Sequence, residues 1–168
     1  MNTDAQDQAP LPSKRFEGRD EFRQLVRDAL ARAAQEGWRE IILADATFEE
    51  WPLGERVVAD ALQAWAKTGR TLTLMAKSYD EVLRMHPRFV RWRGTWSHIV
   101  TAIGCSSADV NDFPSALWSP GWVLERRDLV RSNGYCGSEP ERRVMLRESL
   151  NEWMRQSSPA FPATQLGL

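Results

Sequence analysis

Two short, largely apolar runs constrain the fold of this chain most: Ile41–Ala44 (IILA) and Thr71–Ala76 (TLTLMA). Each is too short for a helix and suits a strand covered on both faces. Between them Val57, Val58, Ala61, Leu62 and Trp65 recur at helical spacing, opened by Pro52 and closed by Gly69. Ahead of the first run, Phe22, Leu25, Val26, Ala29, Leu30 and Ala33 mark one face of another amphipathic helix. Asp20 is its expected N-cap and Gly37 its stop. Helices and strands alternating through short connections imply parallel strands joined by right-handed crossovers.

The pattern changes after the second run. Ser78–Glu81 reads as a capping box that opens a third helix, and Ile99–Ile103 as a third strand. Asp109–Pro114 reads as a loop. Ala116–Trp118, Trp122–Arg126 and Leu129–Arg131 are short extended pieces, punctuated by Ser119–Gly121 and by Asn133–Gly134. The sheet is therefore expected to end in antiparallel strands. A second capping box, Ser138–Glu141, opens a helix through about Arg155 that would turn Met145, Leu146, Leu150 and Trp153 to the core. The expected fold class is α/β, a mixed sheet with βαβ crossovers flanked by helices. A chain of 168 residues suits one such domain, placed at residues 16–155. Residues 1–15 lack periodicity and hold Pro10 and Pro12, so a disordered lead is expected. Residues 156–168 read as an extended tail whose Phe161, Leu166 and Leu168 suit docking on a surface.

Composition narrows the functional classes. With 42% hydrophobic and 27% charged residues a packed core is expected. A net charge of −1 rules out a polycation, so any basic function must be local. No window approaches the ~18 apolar residues of a membrane span, and the polar N-terminus resembles neither a signal nor a transit peptide. A cytoplasmic protein without membrane contact is the expectation. Cys105 and Cys136 stand far apart and read as two buried thiols. The two histidines and two cysteines show no metal-ligand spacing, and no glycine-rich phosphate loop is present, so neither metal nor cofactor is expected.

The stretch LRMHPRFVRWRGTWSHIV, residues 83–100, carries four arginines, two tryptophans and both histidines, and no carboxylate. As a helix it places Met85, Phe89, Trp92, Trp96 and Ile99 on an apolar seam, and Arg84, Arg88, Arg91, Thr95 and His98 on the adjoining face. Pro87 and Gly94 mark where such a helix would break. The aromatic residues read as core. The arginines have two readings. Arg84, Arg88, Arg91 and Arg93 either pair with Asp45, Glu49 or Glu50 after the first strand, or form an anion-binding patch. In the second reading Arg84, Arg88, Arg91, Arg93, Trp96 and His98 make a candidate surface for a partner, a phosphate-containing ligand or nucleic acid. His86, just before a proline, reads as a backbone-capping residue. An enzymatic alternative sets Asp45 beside His86 or His98 in the crevice where α/β sheets bind ligands. A purely structural, protein-interacting role, with the tail as contact element, is the third alternative.

The element order resembles one half of the phospholipase D-like fold. The stretch FEGRDEFRQLVRDALARAAQEGWREIILADATFEEWPLGERVVADALQAWAKTGRTLTLM looks like the N-terminal core of that family. Together with HPRFVRWRGTW and the ending SSPAFPATQLGL, it resembles a bacterial group of uncharacterised phospholipase D-like domains. Active members carry a His-x-Lys-x4-Asp signature late in the domain, with the histidine as nucleophile. The corresponding place, near Ser115 to Arg127 (SALWSPGWVLERR), has neither histidine nor lysine. The resemblance therefore implies a domain inactive by the family mechanism, since the attacking group is missing. Active forms join two halves around one site, so the resemblance also implies a homodimer.

Overall fold

A computed structural model describes residues 9–163. The first described element is β1 (Lys14–Phe16), which begins within the lead expected to be disordered and runs into the domain. Trp122 and Cys136 bind the Pro12 carbonyl through Nε1 (3.0 Å) and Sγ (3.5 Å), so the lead is tied down by side chains more than a hundred residues away. Residues 1–8 lie outside the described residues, as do residues 164–168 with Leu166 and Leu168 of the expected tail.

Helix α1 (Arg19–Glu36) buries all six residues of the expected stripe. It starts at Gly18 rather than Asp20; Asp20 and Glu21 sit in its first turn, where the helix dipole favours acids. Gly37, left-handed at φ 65°, ends it as expected. Strand β2 (Glu40–Ala44), helix α2 (Arg56–Ala66), strand β3 (Thr71–Ala76), helices α3 (Asp80–Met85) and α4 (Pro87–Thr95), and strand β4 (Val100–Gly104) follow. The long helix expected across residues 84–99 is thus two helices parted at His86, because Pro87 lacks the N–H that would continue α3. Gly94 lies within α4 without breaking it.

Strands β2, β3 and β4 are parallel, with Ile41 beside Leu72 and Leu72 beside Val100. Next, β5 (Ala116–Trp118), β6 (Val123–Asp128) and β7 (Asn133–Gly137) are each antiparallel to the next, and β5 is antiparallel to β2. The expected strand at Leu129–Arg131 is a turn, and Asn133–Gly134 belong to β7. Helix α5 (Pro140–Arg155) and the two-residue β8 (Ser158–Pro159) complete one eight-stranded sheet, in the order β1-β7-β6-β5-β2-β3-β4-β8. Neither expected capping box forms: α3 and α5 have no side-chain cap, and Glu81 pairs with Arg84 instead.

Alternation along the strands sorts the core into two layers. Ile41, Leu43, Leu72, Leu74 and Leu117 face one cluster with α1 to α4, including Phe22, Trp65, Phe89 and Trp92. Ile42, Ala44, Met75, Ala116 and Trp118 face the other, under Leu146 and Leu150 of α5 and Phe113 of the preceding loop. Three expected core residues are exposed: Val57, Met85 and Met145. Cys105 and Cys136 are buried free thiols, and burial pushes the Cys136 thiol up.

The packing of β7 against β6 leaves no room beside Gly134. A Cβ there would lie 2.0 Å from the Glu125 carbonyl oxygen and 2.9 Å from the Arg126 Cα, both backbone atoms that cannot step aside alone. Gly134→Ala is expected to destabilise the fold by about 1–3 kcal/mol or more, as overpacking does. An unchanged urea midpoint would show that the two strands can separate without cost.

Candidate nucleic-acid interface

The crevice at the carboxyl ends of β2 and β6 holds a buried ionic cluster. Arg126 of β6 is 6% exposed and Asp45, just after β2, is 4% exposed. Arg126 Nη2 donates to Asp45 Oδ1 at 3.1 Å, Nε to Ser115 Oγ at 3.1 Å and Nη1 to Ser132 Oγ at 3.2 Å. Nη1 also pairs with Glu50, whose other oxygen meets Arg19 at 3.3 Å. The guanidinium lies 4.6 Å from the Phe22 ring centroid. Two cations thus face two carboxylates, and every nitrogen of Arg126 has a partner. Arg126 and Asp45 form the buried heart of this network, and Glu50 and Arg19 carry it out to the surface.

This arrangement gives two of the three acids their partners, and Glu49 has no ion pair among the described residues. Asp45 and Glu50 belong to Arg126 and Arg19, not to the arginines of residues 84–93. Asp45 and His86, named in the enzymatic alternative, each have other partners. The second oxygen of Asp45 accepts the N–H groups of Thr47 (3.2 Å) and Phe48 (2.8 Å). His86 stands at the N-cap of α4 but makes no side-chain cap there; it is buried and bonds the Phe48 carbonyl through Nε2 at 2.8 Å instead, which pins the β2–α2 loop to the α3–α4 junction. His98 is exposed near the amino end of β4, whereas Asp45 follows the carboxyl end of β2, so the two lie at opposite ends of the parallel strands. Residues 115–127, where the resemblance places a nucleophile, form β5 and β6 around Arg126.

The arginines of residues 83–100 divide. Arg84 pairs with Glu81. Arg88 donates to the Gly54 carbonyl at 2.9 Å and stays exposed. Arg91 is exposed, and its side chain has no hydrogen-bond or ionic partner among the described residues. Arg93 departs from the expected patch: it is 7% exposed, turned under residues 158–163, where burial pushes its guanidinium pKa down and the nearby Tyr79 works the other way. Two positions along α4 is about 200° of helical turn, so Arg91 and Arg93 point apart. Trp96 is half-buried, with Nε1 on Gln63 Oε1 at 2.9 Å and His98 packed beside it at 5.7 Å between ring centroids.

Helix α2 packs against α4. Its solvent row, Arg56, Asp60, Gln63 and Lys67, carries the same spacing of four and three as Arg84, Arg88, Arg91, Thr95 and His98. Together α2, its C-cap and α4 expose Arg56, Lys67, Arg88 and Arg91 against one carboxylate, Asp60. Arg39 and Arg70 extend this charge to the amino ends of β2 and β3, where the Arg70 and Thr71 amides bond the Arg39 carbonyl. None of these six cations has an ion pair with a side chain among the described residues, whereas Arg32, Arg27 and Arg147 do. Arg56 and Lys67 leave a weaker mark in the sequence than residues 84–98, because they are spread along the solvent row of α2 rather than set in a dense arginine run. Among the described residues no group of carboxylates, histidines and cysteines suits a metal, and no helix is long and apolar enough to cross a membrane.

The architecture is that of an α/β domain with an eight-stranded mixed sheet flanked by helices. No family model and no curated protein matches the chain. Among solved structures it is similar to TrmBL2, an archaeal chromatin protein whose structure is described as showing a novel mode of DNA binding. The likeness has a TM-score of 0.65 at 13% identity and covers 92% of this chain and 56% of that one. At that identity the likeness is one of fold. The chain spans little more than half the length of TrmBL2.

Proposed function

We propose that this chain is a non-catalytic binding module that takes the phosphate backbone of a nucleic acid on its α2–α4 face. The observation that carries this reading is the four exposed cations, Arg56, Lys67, Arg88 and Arg91, set against the single carboxylate of Asp60 in a chain of net charge −1. The arginine fork suits phosphate oxygens, and uncompensated charge favours a polyanion over a neutral partner. The fold likeness to a chromatin protein described as binding DNA agrees with this choice of partner. Trp96 acts here as a support for His98 rather than as a contact. We also propose that the domain is a phospholipase D-like half lacking the family nucleophile, and that it pairs as a homodimer. The helix–strand alternation through β4 followed by antiparallel strands supports the first point, and the two-half architecture of the family supports the second.

The test is fluorescence anisotropy with a labelled DNA duplex. About four phosphate contacts predict binding that weakens with a slope near −3.6 in log K against log salt, from counterion release. No binding at low salt, or binding insensitive to salt, would overturn the proposal.

A further inference from the structure

Residues 158–163 lie along the free edge of β4 as a ligand would. Pro159 and Ser158 pair antiparallel with Ile103 and Gly104, and the Ala160 amide donates to the Ala102 carbonyl at 3.0 Å. One side chain of this segment is buried, Phe161, whose ring stacks on Tyr79 at 5.0 Å between centroids. The close approach uses Gly104, where a Cβ would lie 3.0 Å from that of Ala160. Tyr79 is itself fixed by its hydroxyl, which donates to the Ile103 carbonyl at 2.6 Å.

Arg93 is the unresolved part of this arrangement. Its Nη2 donates to the Phe161 carbonyl at 3.3 Å, while its buried Nε and Nη1 have no partner among the described residues. No Asp or Glu follows Glu152 in the sequence, so the covering segment brings no side-chain counter-charge. A buried guanidinium with two empty donors favours an anion at that point. Phe161 also holds φ at 47°, a left-handed backbone that a non-glycine residue adopts at a cost, and it does so just where the chain must turn into Pro162.

We propose that the β4 edge, with Tyr79 and Arg93, is a binding site for an extended peptide ending in an aromatic residue with a free carboxylate, and that residues 158–161 occupy it in cis. Strand addition supplies main-chain hydrogen bonds, and the aromatic ring supplies the anchor on Tyr79. In a peptide that ends at the aromatic residue, the carbonyl now on Nη2 becomes a carboxylate. Its second oxygen offers the acceptor that Nε and Nη1 lack, and no left-handed turn is needed to continue the chain. This site is separate from the α2–α4 face, and its partner is a protein terminus rather than a nucleic acid.

The experiment uses a labelled peptide copying residues 156–161, made as the free acid and as the C-terminal amide. In the full chain carrying Phe161→Ala, which empties the anchor pocket, the acid is expected to bind at least about tenfold tighter than the amide, the scale of a charge-assisted contact. Adding Arg93→Gln should erase that difference without lowering Tm. Equal binding of acid and amide, or a preference that survives Arg93→Gln, would overturn the proposal. If Phe161→Ala does not fold, hydrogen exchange at the Ala160 amide of the unmutated chain gives the same answer. Excess acid peptide should speed that exchange and excess amide should not; an unchanged rate with both overturns the site.

Discussion

Replacing Arg126 with methionine is expected to cost about 3–5 kcal/mol of stability, the range for removing one member of a buried ionic group. The cost does not come from the lost attraction alone. Asp45 would keep its two backbone donors, but its charge would remain buried without a cation, and Glu50 would retain only Arg19 and Ser132. Met has nearly the length of the aliphatic stem, so the packing of the stem is largely preserved, while the stacking of the guanidinium on Phe22 is lost together with the charge. Asp45→Asn, which keeps the shape and removes the charge, is expected to be destabilising on its own. Combined with Arg126→Met it should cost clearly less than the sum of the two, because the buried charge left behind by one change is removed by the other. Urea denaturation of the four forms measures the cycle. Strict additivity would show that Asp45 and Arg126 do not sense each other.

Trp65→Ala is expected to lose a comparable amount, about 3–5 kcal/mol. The side chain projects from α2 into the core cluster and is fully buried, and its Nε1 donates to the Trp38 carbonyl at 2.6 Å. Truncation leaves a large void and an unpaired carbonyl at the end of α1. Trp65→Phe, which fills most of that volume, should cost visibly less. A urea midpoint for Trp65→Ala close to that of the starting chain would mean that α2 contributes little to the core. Since α2 carries Arg56, and Lys67 caps it, loosening this helix should also weaken binding on the α2–α4 face.

What the sequence disclosed follows from how strong each periodic signal is. The α1 stripe and the β2 and β3 runs are long or uniform enough that packing could only reinforce them. Strand β1 was hidden because three residues, Lys14–Phe16, carry no period, and the groups that hold it come from Trp122 and Cys136. Strand β7 was displaced because Asn133–Gly134 has turn chemistry, while the tight approach of Glu125 and Arg126 requires a glycine within the strand. The exposed row Arg84, Arg88, Arg91, Thr95 and His98 was legible from spacing, and all five residues are exposed. Arg93 was grouped with it by proximity in sequence, although its helical phase sets it on the opposite side. The Arg126 cluster left no local mark, since Asp45, Glu50, Ser115, Arg126 and Ser132 meet only through the sheet order β6-β5-β2.

The account turns on whether the α2–α4 face holds phosphate. Two charge-reversed proteins compare it directly with the other side of the sheet: Arg88→Glu with Arg91→Glu on α4, and Arg142→Glu with Arg155→Glu on α5. With a labelled DNA duplex at low salt, the α4 pair should weaken binding at least about tenfold and make the salt slope shallower by about two, one for each lost phosphate contact, while the α5 pair changes little. Equal loss from both pairs, or no loss from the α4 pair, would contradict it.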